Sequence, residues 1–343
     1  MEDFEYSPNP GRVIFGNSTI NRIPDELKRL NFSKPVILST PEQLSQAQKI
    51  ESILQGHVEV IGIFSNAMMH TPVHVTNTAV EFSRAADCIV SIGGGSTIGL
   101  GKAISIRTGL YHIAIATTYA GSEMTPILGE TENGQKTTRS DPKILPGTVI
   151  YDVDLTMTLP VQLTSVSAVN AIAHALMAAE GIKVLASFVP EIVANPDSRS
   201  ARSSTLYGAW LCGICLGSVG MSLHHKLCHT LGGSFNLPHA QMHTIVLPHA
   251  LAYNAPKVPR AMETLAKALP NSDGDAVKGL NVLLGKLKVQ RGLRELGMKE
   301  SDVDVAADIA LKNAYWNPRE IERDPIRELI RRAWAGEDAR SDL

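Results

Sequence analysis

Histidine stands out in the second half of the chain because it recurs at one-turn helical spacing. Asn170-Ala171-Ile172-Ala173-His174 places an amide and an imidazole four residues apart, on one helix face. In His224-His225-Lys226-Leu227-Cys228-His229, His225 and His229 form a second such pair. His239 and His243 form a third, behind a Pro238 well placed to start a helix, and His249 follows Pro248. One histidine alone is more often a satisfied core or surface residue. Repeated pairs point to imidazoles converging on one site, for metal binding or proton transfer. The partner of His174 is the neutral Asn170, where a hard or borderline divalent cation would want a carboxylate.

The first half offers a different chemistry. Ser91-Ile92-Gly93-Gly94-Gly95-Ser96 lies between an apolar run and a predicted helix over 97–107. Glycines here let the backbone approach a pyrophosphate, and the helix start supplies free N–H groups. The spacing is not G-x-G-x-x-G, and a plain strand-to-helix turn is the simpler alternative. The hydroxyl-rich segment Thr117-Thr118-Tyr119-Ala120-Gly121-Ser122-Glu123-Met124-Thr125 also follows an apolar run, and suits a ribose, phosphate or carboxamide, or else a helix cap. Thr40 ends another run. With no carboxylate at Ser39-Thr40, both NADH and NADPH are expected to be tolerated.

These residues need elements to hold them. Short apolar runs at 12–16, 36–40, 58–63, 87–92, 112–116 and 148–152 alternate with periodic segments such as 41–54 and 76–86. The runs are mostly continuous rather than alternating, which predicts strands of a mostly parallel sheet covered on both faces. After Asp154 strand signals vanish and Ala-, Leu- and His-rich stretches follow. The expected fold is an α/β dinucleotide-binding domain over 1–155 and an all-α catalytic domain over 156–343, with the active site in the cleft between them. A chain of 343 residues is long enough for two domains of roughly 150 residues each. The net charge of −2, without basic blocks, gives no support for nucleic-acid or membrane-surface partners. No secretory or membrane-spanning segment is read, so a cytoplasmic protein is expected. Cys88, Cys212, Cys215 and Cys228 make no disulfide framework, and Cys212-Gly213-Ile214-Cys215 reads as buried thiols in an apolar helix.

Together the residues resemble the iron-type alcohol dehydrogenases, which combine a Gly-Gly-Gly-Ser turn, a Thr-Thr-x-x-Gly-Ser segment and a helical metal-binding domain. That family binds metal through Asp-x-x-x-His and two histidines fourteen residues apart. The resemblance places Asn170 and His174 at the first pair, His225 and His239 at the second, His229 at a further active-site histidine, and Lys136 at a cofactor-contacting lysine. Within the family the chain is most similar to the maleylacetate reductases, notably in 117–126, 141–152, 170–175, 206–211, 238–249 and Asn317-Pro318-Arg319. The family continues after the His174 motif with a Glu-containing helix and loop, of which about a dozen residues have no counterpart here.

The resemblance implies reduction of the C=C bond of maleylacetate (4-oxohex-2-enedioate) to 3-oxoadipate by NADH or NADPH, in catabolism of aromatic compounds of the resorcinol or hydroxyquinol type. It also implies a homodimer acting on a small dicarboxylate, with no metal expected. An enolate can be stabilised by imidazole and amide N–H groups directly, so Asn170 is coherent with this reaction. His174, His225 and His239 are expected to line the pocket as donors, His243 to deliver the proton, and Arg319 or Lys226, with Tyr119, to contact substrate. The alternatives are a metal-dependent Fe or Zn alcohol dehydrogenase, and an inert NAD(P)-binding protein.

Overall fold

The computed structural model describes residues 11–132, 135–172, 179–218, 222–312 and 315–343, without the side chains of Lys136, Ile172, Gly217 and Ser218. Chain contacts divide into two units, Met1–Leu159 with Leu216–Ser218, and Pro160–Cys215 with Val219–Leu343.

The first unit carries strands β1 (Arg12–Gly16), β2 (Pro35–Leu38), β3 (Gly62–Phe64), β4 (Cys88–Gly93), β5 (Tyr111–Ala116), β6 (Ile127–Glu132), β7 (Gln135–Ser140) and β8 (Thr148–Asp152). Its helices are α1 (Ile23–Leu30), α2 (Leu44–Leu54), α3 (Val73–Phe82), α4 (Gly95–Thr108) and the short α5 (Val153–Thr156). Six strands form one parallel sheet in the order β1-β8-β5-β4-β2-β3. Successive residues of a strand point to opposite faces. Ile37, Cys88, Val90 and Ile92 therefore pack with Ile23 and Leu27 of α1 and Ile50 and Leu54 of α2. Val36, Leu38 and Ile89 pack on the other side with Val75 and Ala79 of α3 and Leu100 and Ile104 of α4. Burial on both faces is why the strands read as unbroken apolar runs.

Two sequence expectations need correction here. The edge strand β3 starts at Gly62 rather than Val58; ahead of it, Glu59 donates to the carbonyl of Ser33, before β2, and Ile61 to that of Pro35, at the start of β2. β6 and β7, which pair antiparallel from Ile127↔Ser140 to Glu132↔Gln135, were not anticipated.

The second unit is helical among its described residues: α6 (Val161–Ile172), α7 (Ala179–Ala194), α8 (Arg199–Ser218), α9 (Leu223–Phe235), α10 (His239–Asn254), α11 (Pro259–Ala268), α12 (Ala276–Leu287), α13 (Asp302–Ala310) and α14 (Arg323–Ala335). α10 is central. Every residue from Met242 to Ala250 is buried, as expected of a helix enclosed on all sides. Leu223, Leu227 and Leu231 of α9, Ile245 and Val246 of α10, Ala306 of α13 and Leu329 of α14 share one core. This packing holds the two histidine-bearing helices side by side. No helix among the described residues is long and apolar enough to cross a membrane.

Candidate active site

The sheet order sends the chain to opposite sides after β2 and after β4, and ligands bind in open α/β sheets at such a switch point. Thr40 follows β2 and Gly93 ends β4 at this place, where Leu38 pairs with Ser91. Gly93 has φ +156°, and a Cβ there would meet Thr97 and Gln43. A Cβ on Gly94 would lie 2.9 Å from Thr118 Cγ2, so both positions require glycine. Gly95 is exposed and a Cβ on it would meet nothing within 4 Å. Gly95 and half-buried Ser96 open the fourteen-residue α4. An open cradle at a helix N-terminus fits a pyrophosphate.

The hydroxyl-rich segment behaves differently from expectation. Thr117 Oγ1 accepts from Gln43 Nε2 at 2.8 Å, and Thr125 Oγ1 accepts from Lys102 Nζ at 3.0 Å. Both threonines are buried, so their hydroxyls serve the fold. Tyr119 is fully buried, with 0% exposure, and has no surface to offer a substrate. Thr118 and Ser122 are half-buried. The Lys136 side chain lies outside the described residues.

Sequence reasoning missed the anchor of this segment. Lys102, fully buried on α4, also donates to the carbonyls of Ser122 at 2.5 Å and Ile127 at 2.9 Å. Burial pushes its ammonium down to about 7, against the pull of Glu123. Burial also pushes the Glu123 carboxyl up, although it accepts from the Tyr151 hydroxyl at 2.7 Å. The one sequence signal was a lysine inside the apolar stretch of α4.

In the second unit the histidines assemble as their spacing implied, with one addition. The His239 and His243 rings lie 4.1 Å apart, His225 and His243 5.3 Å, and His225 and His229 6.4 Å. His224 joins them, 5.2 Å from His225 and 5.0 Å from His243. Its Nε2 donates to the His243 carbonyl at 3.1 Å, and burial pushes it down to about 4. His243 is 1% exposed. Asn170 on α6 is buried, and its Oδ1 has no hydrogen-bond partner among the described residues. His174 lies outside the described residues.

Arg319 stacks 4.2 Å over the Tyr253 ring and donates Nη1 to the Tyr253 carbonyl at 3.0 Å. Its other N–H groups make no protein hydrogen bond among the described residues. Lys226 Nζ sits 5.4 Å over the Tyr315 ring. Cys212 is buried and Cys215 half-buried, and burial pushes both thiols up.

The donor set poorly suits the metal of the resembled family. One ring nitrogen each from His224, His225 and His243 lies within 4.8 Å of the others. Of these only His225 occupies a family metal position. A carboxamide stands at the position of the family's single anionic ligand, so the family's iron site lacks the carboxylate that Fe²⁺ favours.

Comparison with known proteins identifies the family. Residues 10–153 match the model for iron-containing alcohol dehydrogenases, and 164–334 the C-terminal model of the Fe-containing alcohol dehydrogenase family. Maleylacetate reductase of Burkholderia cepacia is 47% identical over 352 residues, covering 98% of this chain and 99% of that protein. The chain belongs to the iron-containing alcohol dehydrogenase family, among its maleylacetate reductases. The crystal structure of maleylacetate reductase from Agrobacterium tumefaciens matches with a TM-score of 0.93 and 47% identity, covering 98% and 100% of the two chains. That from Rhizobium sp. strain MTP-10005 matches at 0.92 and 46%, with the same coverage. The Burkholderia alignment is longer than the 343 residues of this chain, so that reductase carries residues with no counterpart here.

Proposed function

We infer that this chain is an NAD(P)H-dependent maleylacetate reductase that converts maleylacetate to 3-oxoadipate without a catalytic metal. The observation that carries the reading is the cluster of neutral donors on α9 and α10 in a chain with Asn170 in place of an anionic metal ligand. The full-length similarity to maleylacetate reductases supports the substrate.

When bound at the α4 cradle, the reduced nicotinamide cofactor supplies hydride to the alkene carbon β to the substrate ketone. Charge then develops on the ketone oxygen as an enolate. N–H groups of His225 and His239, with His174 and the Asn170 amide, are assigned to stabilise it. His243 is assigned to protonate the other alkene carbon, which completes the addition of two hydrogens across the double bond. His229 flanks His225 and supports its orientation. Arg319, held by Tyr253, presents its remaining N–H groups to a substrate carboxylate, and Lys226 is the second candidate. Thr40, Gly94, Gly95, Ser96, Thr118, Ser122 and Lys136 are assigned to the cofactor. A homodimer in aromatic catabolism completes the reading.

The test is oxidation of NADH and of NADPH by fresh maleylacetate, with and without EDTA. Turnover that survives chelation and collapses in His243→Ala is the expected result. Turnover abolished by EDTA and restored by Fe²⁺ would return the chain to metal-dependent alcohol dehydrogenase chemistry.

A further inference from the structure

The convergent imidazoles differ from the set that family resemblance picks out, and the difference has a chemical meaning. His224, His225 and His243 form a near-equilateral triangle, with ring centres 5.2, 5.0 and 5.3 Å apart. Three imidazoles on one tetrahedral zinc, with Zn–N bonds of about 2.0–2.1 Å, put their ring centres roughly 5 Å apart. One ring nitrogen from each already lies within 4.8 Å of the others.

His224 adds a second, independent observation. A metal-bound histidine characteristically donates its other ring N–H to a carbonyl or carboxylate. His224 Nε2 donates to the His243 carbonyl at 3.1 Å, which leaves the Nδ1 lone pair for a ligand. That Nδ1 is buried and has no hydrogen-bond partner among the described residues. Neutral imidazoles suit zinc, which accepts three histidines and a water without a carboxylate.

We propose that His224, His225 and His243 form a zinc-binding site distinct from the family's metal positions, and that Zn²⁺ held there inhibits the enzyme. Zinc occupies the His243 ring needed for proton delivery. The inhibition therefore rests on the role proposed for His243, whereas the binding does not. The site shares only His225 with the family set and uses neither Asn170 nor His239.

The test takes full-length protein stripped with EDTA and measures Zn²⁺ binding against a chromophoric zinc indicator, alongside maleylacetate reduction. Wild type is expected to bind one Zn²⁺ per chain, to lose turnover in step with occupancy, and to recover on chelation. His224→Gln is expected to bind zinc about 100-fold more weakly and to make whatever turnover it has in EDTA correspondingly less sensitive to added Zn²⁺, while His239→Gln still binds zinc. Co²⁺ in place of Zn²⁺ should give wild type the strong visible bands of a tetrahedral site, a readout that depends on no variant folding. Absence of zinc binding and of those bands would overturn the proposal, as would a His239→Gln loss as large as that of His224→Gln. Zinc bound at His224 without loss of turnover would retain the site and overturn both the inhibition and the role of His243.

Discussion

Asn254 and Asn317 exchange two hydrogen bonds, Asn254 Nδ2 to Asn317 Oδ1 at 3.0 Å and Asn317 Nδ2 to Asn254 Oδ1 at 2.8 Å. Asn317 Oδ1 also accepts from the Ser222 hydroxyl at 2.7 Å, and Nδ2 also donates to the Arg319 carbonyl at 2.6 Å. Ser222 caps the N-terminus of α9 and Asn254 ends α10, so one amide ties both histidine helices to the segment bearing Arg319. Asn317→Ala should cost about 2 kcal/mol, because it leaves half-buried polar partners unmatched. It should also lower kcat by about tenfold as Arg319 shifts. Asn317→Asp, which keeps the accepted bonds, should fall in between. Thermal melts and steady-state kinetics check this. Full activity in Asn317→Ala would rule out the bracing role.

The α4 cradle predicts an unusual substitution. A methyl group at Gly95 meets no protein atom, so Gly95→Ala should fold with stability within about 0.5 kcal/mol of wild type. The methyl should occupy the space of the pyrophosphate and raise KM for NADH and NADPH about tenfold, a loss of about 1.4 kcal/mol, with kcat little changed. An unaltered KM would move the phosphate site elsewhere.

Asn170→Asp introduces a buried carboxylate without a countercharge. In EDTA the variant should lose about 2–4 kcal/mol of stability, and Fe²⁺ or Zn²⁺ should restore much of it by binding the folded state alone. Melting curves with and without metal measure this. A variant as stable as wild type in EDTA and indifferent to metal would mean that Asn170 faces water rather than a donor site.

His112 is fully buried on β5, where its Nε2 shares a hydrogen bond with the Ser91 hydroxyl at 2.6 Å. Burial, and then the Lys102 charge, push it down to about 3 from 6.5. A base depressed in the folded state stabilises the fold above its unfolded pKa. That stability is lost as pH falls from 6.5 toward 3. The loss per pH unit in this window is about 1.4 kcal/mol. His112→Asn should therefore be less stable at neutral pH but show a shallower fall on acidification, read from urea unfolding at about pH 7, 6 and 5. Equal slopes would assign the acid sensitivity elsewhere.

The sheet was largely legible because two-sided burial writes itself as unbroken apolar runs, as in Cys88–Gly93 and Thr148–Asp152. The β6–β7 hairpin was not, because its strands are polar and partly exposed. The start of α3 at Val73 was missed because Pro72 acts as its N-cap. The histidine pairs were legible because one-turn spacing states a face. His224 was not, because neighbours on a helix diverge by about 100°, so its spacing alone does not place its ring beside those of His225 and His243. The inward turn of Thr117, Tyr119 and Thr125 was hidden for a related reason. Composition reveals which hydroxyls exist, whereas Lys102 and Gln43 decide where they point.

The sheet order carries one more consequence. Among the described residues β1 pairs only with β8, at the end of the unit, and Asp152 anchors it by accepting from the backbone N–H groups of Ser18 and Ile20. During synthesis β1 emerges well before β8, so their pairing must wait until β8 has left the ribosome. Closure of this unit is thus a late, non-local step in biogenesis. Damage to the Asp152 clasp should surface as slow maturation and aggregation of nascent chains before it surfaces as lost catalysis.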